Sequence, residues 1–299
     1  NSNRDMIHYA DDSTKQAVRD MWKICFGDSD AYMDIYFNHK YRNENTLIYI
    51  EDQKPVASLQ MLFYNFSFHG SEIPIAYLSG LCTLPDYRSR GYMKQLIINS
   101  YQVAKEREAP LMVLVPQDKG VMSYYERFGF AQTFDPGVEA LPHLSKIMDA
   151  SNKDIYKAYE VFNSLYRDND MTVQKSFTDF ETIIEEAKLF GYPPKTNLTG
   201  MARIIDANRL ISLYSSSHPS HSFDLRIEDD MINSNNRELL ISSGNIEAIS
   251  SSKNLERDII EVDIKDLVQL LMGYHTSEKG ETLSTLFPEK SPAMHFMLE

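Results

Sequence analysis

Cysteine is scarce in this chain. Cys25 and Cys82 are the only two in 299 residues, which excludes a small scaffold stapled by disulfides. Both sit in apolar surroundings and read as buried thiols of a protein kept in a reducing compartment. No run approaches the roughly eighteen apolar residues of a membrane span, and no charged-then-apolar leader pattern opens the chain. A cytoplasmic protein without membrane partners is expected. Positive charge is also in deficit: 43 acids face 30 bases, for a net charge of −13. That balance excludes a sequence-independent binder of nucleic acid. It favours cationic small substrates such as amines, and it serves equally well as a solubility device. Two catalytic signatures are missing, the Gly-x-Ser-x-Gly elbow and the His-Glu-x-x-His helix. His218 and His221 lie in a Ser-rich loop with no Cys or acid at ligand spacing, so no metal is expected.

What is present is most concentrated at residues 80–93, Gly-Leu-Cys-Thr-Leu-Pro-Asp-Tyr-Arg-Ser-Arg-Gly-Tyr-Met. An apolar strand runs up to Thr83, Pro85–Asp86 makes a turn, and Arg88-Ser-Arg-Gly91 opens a helix. That helix shows one apolar face at 3, 4, 7 and 8 spacing: Met93, Leu96, Ile97, Tyr101 and Ala104. A strand that leads through a glycine turn into a helix converges unpaired N–H groups and the positive end of the helix dipole on one spot. Such a place binds phosphate. Gly91 admits the anion close to the backbone, while Arg88, Arg90 and Lys94 add full charge.

Pro85-x-x-Arg88-x-x-Gly91 after a strand resembles the acyl-CoA pyrophosphate loop of the GNAT acetyltransferases, usually Arg/Gln-x-x-Gly-x-Gly/Ala. A second apolar strand follows at Leu111–Val115. Ser123-Tyr-Tyr-Glu-Arg-Phe-Gly-Phe130 then resembles the Tyr-x-x-Leu/Phe-Gly-Phe ending of the same fold. Met93 stands where the loop usually has Gly or Ala, as larger residues do in the enhanced-intracellular-survival (Eis-like) branch.

The order of elements fits that resemblance. Helices are expected at 13–27 and 32–41, and strands at 47–50, 56–66 and 75–83. After the helix at 90–106 come a strand at 111–115, a short helix at 120–128, and a strand starting near Phe130. Residues 1–141 are therefore expected to form a GNAT domain with a mixed, mostly antiparallel sheet flanked by helices. Residues 142–195 read as a helical remnant of a second GNAT-like domain. Met201-x-Arg-Ile-Ile-Asp206 and Ile260–Gly273 resemble the opening and closing segments of the sterol-carrier-like domain that ends Eis-like proteins, so 196–299 is expected to be such an α+β domain. The fold class as a whole is α+β. No glycine-rich phosphate loop occurs after residue 150, so a second cofactor site is not expected.

The resemblance implies an acetyl-CoA-dependent N-acetyltransferase acting on a small-molecule or peptide amine, with acetyl-CoA as co-substrate. By motif matching, the main chain of Leu81, Cys82 and Thr83 would pair with the pantetheine arm and turn N–H groups toward the thioester oxygen. Ser89, Arg90, Gly91, Tyr92, Met93 and Lys94 would cradle the pyrophosphate, beside Arg88. Tyr125 matches the family's general acid, and a phenol with a pKa of about 10 is protonated at neutral pH. Tyr124 is adjacent, but helical neighbours point about 100° apart, so one of the two is expected to face the cofactor. Many GNAT enzymes carry a glutamate on the fourth strand, yet Tyr77-Leu-Ser-Gly-Leu-Cys-Thr83 has no acid. In the Eis-like branch the C-terminal carboxylate takes that part, which the resemblance carries to Glu299 at the end of the apolar run Pro292–Glu299. The alternative is a non-catalytic acyl-CoA or apolar-ligand binding protein on a degenerate GNAT fold. A homo-oligomer is left open, and the acceptor amine is not named by these residues.

Overall fold

The computed structural model describes residues 6–249 and 258–298. Two tight turns set its framework. Asp52–Gln53 and His69–Gly70 each place two successive residues at positive φ (52° and 63°, then 48° and 76°). Such two-residue turns match the twist of antiparallel strands, so they fold the chain back into hairpins. After β1 (Ile7–Tyr9), α1 (Lys15–Phe26) and α2 (Asp30–His39) come β2 (Thr46–Glu51), β3 (Lys54–Phe68) and β4 (Ser71–Thr83), an antiparallel meander. The helix α3 (Tyr92–Glu106) then crosses over to β5 (Leu111–Leu114), which pairs with β4 in parallel. The apolar stripe of α3 (Leu96, Ile97, Tyr101 and Ala104) is buried against one sheet face, while α1 and α2 cover the other through Val18, Met21, Trp22 and Tyr36. Each such large apolar side chain contributes about 1.5–3 kcal/mol on burial.

Next along the chain are α4 (Met122–Glu126), β6 (Ala131–Phe134), α5 (Leu144–Ala150), α6 (Ile155–Tyr166), β7 (Thr172–Gln174) and α7 (Phe177–Leu189). The region expected to be mainly helical also contains a strand, and β7 pairs with β3 at Asn65–Ser67. The next strand, β8 (Gly200–Ile204), lies between β5 and β6 and pairs antiparallel with both. It completes an eight-stranded sheet, β1-β2-β3-β4-β5-β8-β6 with β7 on β3. The sequence reading assigned this strand to the last domain, so the first sheet extends further along the chain than residue 141. The reason is physical: β8 is buried along its length, as an interior strand must be, but burial does not say which sheet it enters.

The remainder is α8 (Ala207–Ser217), β9 (Phe223–Glu228), β10 (Arg237–Ser242), β11 (Asn245–Ala248), β12 (Ile259–Asp263), α9 (Ile264–Leu271) and α10 (Glu281–Leu286). Its four strands form a second sheet, β11-β10-β9-β12. One buried cluster runs from Val18, Phe66 and Phe134 to Leu225, Leu267 and Leu271, so the two sheets share a core. Among the described residues no helix is long and apolar enough to cross a membrane.

The C-terminal segment returns to the first half. Ala293 bridges Thr172, the Met294 carbonyl accepts from the Leu198 N–H at 2.8 Å, and the buried Lys175 ammonium donates to the His295 carbonyl at 2.9 Å. His295 stacks on Tyr166 with ring centroids 3.8 Å apart, and Phe296 joins the α5–α7 cluster. Leu298 is only 3% exposed.

Candidate active site

β4 and β5 stay together only as far as Leu78 and Leu114. β4 continues to Thr83, so along residues 79–83 its β5-side edge lacks a ladder partner among the described residues. Opposite, the β3 register shifts between Ser58 and Gln60, which face Cys82 and Ser79. Two residues of β4, Gly80 and Leu81, therefore oppose one of β3, making a β-bulge. Gly80 has φ +61°, and a Cβ there would lie 2.6 Å from the Trp22 ring, so both backbone and packing require glycine. A bulge leaves main-chain groups unpaired and re-aims them, here at the mouth of the gap.

The loop expected to hold phosphate begins where β4 ends. Residues 85–87 make a single 3-10 turn, and Ser89 (φ 63°) and Gly91 (φ 80°) adopt left-handed conformations before α3 starts. Gly91 is the N-terminal cap of α3, and nothing lies within 4 Å of where its Cβ would be. The open space in front of it is a cleft of about 730 Å³. Leu81, Cys82, Thr83, Arg88, Ser89, Gly91, Tyr92, Met93 and Lys94 all line that cleft. Arg90 does not: its guanidinium donates to the Asp86 carbonyl at 3.1 Å, covers the Tyr87 ring at 4.9 Å and faces Glu51. Arg88 is drawn back toward β4, its Nε donating to the Thr83 carbonyl at 3.0 Å. Arg127, which the sequence reading did not single out, supplies another cation to the lining.

A second cavity of about 480 Å³ adjoins the first, and Tyr125 lines both. Burial pushes the Tyr125 phenol up to about 12, with the neighbouring Tyr124 adding to the shift, so it holds its proton at neutral pH. Tyr124 also borders the first cleft, contrary to the expectation that only one of the pair would face it, but it does not reach the second. Leu298 lines the second cavity, which brings the C-terminal segment beside Tyr125. Glu299, the residue expected to carry the base, lies outside the described residues.

Sequence reasoning missed several parts of this second cavity. Trp22, Phe26, Asp28 and Tyr77 line it, and Asp28 is its one carboxylate among the described residues. Asp28 accepts from the Trp22 Nε1–H at 2.7 Å. Cys25, expected to be buried, is half-buried and lines both cavities, whereas Cys82 is buried as expected. Trp22, Cys25, Phe26 and Asp28 belong to α1 and its following turn, and no local pattern ties them to a motif sixty residues away. His218 and His221 stack on each other at 4.8 Å beside Tyr214. Among the described residues no cluster of three or more His, Cys, Asp or Glu side chains is placed to hold a metal ion.

Residues 6–133 match the family model of the acetyltransferase (GNAT) domain, and residues 207–290 match that of the sterol carrier protein domain. No curated protein matches the chain. Among solved structures, a conserved protein from Enterococcus faecalis V583 superposes with a TM-score of 0.70 at 14% identity, over 97% of this chain and 98% of that one. A GCN5-related N-acetyltransferase from Anabaena variabilis gives 0.64 at 16% identity, over 97% and 99%. Eis1 from Mycobacterium abscessus gives 0.58 at 11% identity, over 89% of each chain. At these identities the likeness is one of fold, and it extends through both sheets. The chain thus carries an acetyltransferase (GNAT) domain at residues 6–133 and a sterol carrier protein domain at residues 207–290.

Proposed function

We propose that the protein transfers the acetyl group of acetyl-CoA to a primary amine in the two adjoining cavities, and that the first of them takes the cofactor. The observation that carries this reading is the meeting of three features in one cleft: the β4 edge at Leu81–Thr83, which lacks a ladder partner on its β5 side among the described residues, the left-handed turn at Ser89–Gly91, and Tyr125. The pyrophosphate would rest on the N-terminus of α3, where the helix dipole and N–H groups favour an anion, with Lys94 and Arg88 beside it. The pantetheine arm would lie along Leu81–Thr83 as an added strand. Main-chain N–H groups freed by the Gly80–Leu81 bulge would stabilise the oxyanion.

The acceptor nitrogen attacks the thioester carbonyl, a C–N bond forms, and collapse of the intermediate breaks the C–S bond. Tyr125 gives its proton to the departing thiolate. A carboxylate carried by Glu299 would take the amine proton, and the support for that assignment is the place of its neighbour Leu298 in the second cavity. Asp28, Trp22 and Tyr77 make this cavity acidic and aromatic, which suits an ammonium-bearing acceptor before it loses its proton.

Release of thiol from acetyl-CoA across a panel of amines tests the reading. Turnover with one or more amines supports catalysis. Tight binding of acetyl-CoA without turnover on any amine would favour a binding protein instead.

A further inference from the structure

The two cysteines of the chain come together at the cofactor cleft. Cys82, buried on β4, has its thiol 3.2 Å from the Met21 carbonyl. Cys25, in the last turn of α1, lies 3.5 Å from the Thr83 carbonyl and 3.9 Å from Nη2 of Arg88. It is half-buried and lines both cavities, a position it shares with Tyr125 and Leu81. Acetyl transfer as derived above gives this sulfur no task.

Its surroundings make it a nucleophile. The neighbouring Cys82 thiol and the charge of Arg88 outweigh burial and bring the Cys25 thiol down to about 6, while Cys82 is held far above the ordinary thiol range. A thiol whose pKa lies a little below ambient pH is largely thiolate and keeps most of its reactivity toward disulfides. The cleft supplies the second requirement, a way to bring one particular disulfide to that sulfur. A CoA moiety seated on the α3 N-terminus would direct its sulfur end toward Tyr125, and Cys25, like Tyr125, lines both cavities. Holding the partner there replaces a bimolecular encounter with an intramolecular one.

We propose that Cys25 is a thiol–disulfide exchange site for CoA-bearing disulfides, which the cofactor cleft delivers to it. This rests on the reading of that cleft as the CoA site. The Cys25 thiolate attacks the CoA-side sulfur of the disulfide. A bond forms between the two sulfurs, the original S–S bond breaks, and the other half leaves as a thiolate that takes a proton from water. The Cys25 sulfur is oxidised, the departing sulfur is reduced, and the disulfide itself is the oxidant. The attached CoA then occupies the loop and the β4 edge, so acetyl-CoA is excluded until a thiol reductant reverses the exchange.

The test exposes the full chain to CoA disulfide or, at equal concentration, to glutathione disulfide, and locates adducts by peptide mass mapping. The expected result is a CoA adduct on Cys25 that forms at least about tenfold faster than the glutathione adduct, as an intramolecular advantage requires. Excess acetyl-CoA, which cannot reduce a disulfide, should slow it, and dithiothreitol should remove it. An unmodified Cys25, or equal rates with the two disulfides and no protection by acetyl-CoA, overturns the proposal. Calorimetry of CoA on the reduced protein separates the two readings. If CoA binds while Cys25 stays unmodified, the exchange site falls and the cleft stands; if CoA does not bind, both fall.

Discussion

Arg203 of β8 and Asp229, just after β9, form a fully buried bidentate pair, Nη1 to Oδ2 at 2.6 Å and Nη2 to Oδ1 at 2.8 Å. The pair joins the first sheet to the segment matched as a sterol carrier domain. The same guanidinium donates through Nε to the Phe128 carbonyl at 3.0 Å, and a Cβ on Gly129 would lie 2.6 Å from it. Asp229 in turn accepts the backbone N–H groups of Met231 and Ile232, and Met231 lines the first cleft. One ion pair therefore ties the Phe128-Gly129 turn after Tyr125 to the loop that carries Met231.

Breaking that pair should be costly. Arg203→Met leaves a buried carboxylate unpaired, and losses of this kind run to about 3–5 kcal/mol. Urea unfolding should show a drop of that size, and a loss below about 1 kcal/mol would mean that water replaces the guanidinium. Acid adds a second readout. Burial raises the Asp229 carboxyl, but the hydrogen bonds and charge of Arg203 outweigh it and leave it below the ordinary range. Its contribution is therefore complete above the unfolded value of about 3.9 and is lost as pH falls through the lower native value. Wild type should lose stability across that window, and the Arg203→Met protein should lose less.

Tyr125→Phe removes a proton donor and little else. Acetyl-CoA affinity should persist while kcat falls by roughly 10²–10⁴, the usual range for general acid catalysis. Tyr124→Phe should cost far less, because Tyr124 does not reach the second cavity. Equal losses in the two variants, or a loss below about threefold at Tyr125, would assign the proton to another donor.

Gly80→Val tests the bulge. A β-branched side chain at φ +61° is strained, and it meets the Trp22 ring at a distance no real Cβ tolerates. Stability should fall by about 1–3 kcal/mol from backbone strain alone, and turnover should fall further as the N–H groups shift. A variant with unchanged melting temperature and kcat would show that the bulge is neither required nor used.

Much of this was legible in the sequence because it is local. The strand, the glycine turn and the apolar stripe of α3 occupy one stretch of chain, and each leaves its own signal: an apolar run, a residue permitting positive φ, and 3.6-residue periodicity. Tyr125 carries a short motif with it. Pairing between distant segments leaves no such trace. β8 reads as a strand, but nothing in Gly200–Ile204 says that it fits between β5 and β6. β7 is three residues long, too short for periodicity to register against the helices on either side. Asp28 and Cys25 reach the site only because α1 packs across β4, a contact made sixty residues apart in sequence.

Deleting Phe296–Glu299 should remove most of the turnover while leaving acetyl-CoA affinity nearly unchanged. His295, just before it, is held by the hydrogen bond from Lys175 and the Tyr166 stack, and Leu298 lines the second cavity and not the first. Glu299→Gln in the full chain separates the side-chain carboxylate from the rest of the segment. Full activity in the deletion would remove this segment from the mechanism.

The most direct measurement is a calorimetric titration of acetyl-CoA into the full chain and into the Gly91→Asp variant, with thermal unfolding run on both. Asp is among the residues that tolerate a left-handed conformation, so the variant should fold. Its carboxylate would occupy the open space before the α3 N-terminus and repel the pyrophosphate. The account predicts one site per chain in the wild type and no measurable binding in the folded variant. A stoichiometry near two, or unaltered affinity in Gly91→Asp, would contradict it.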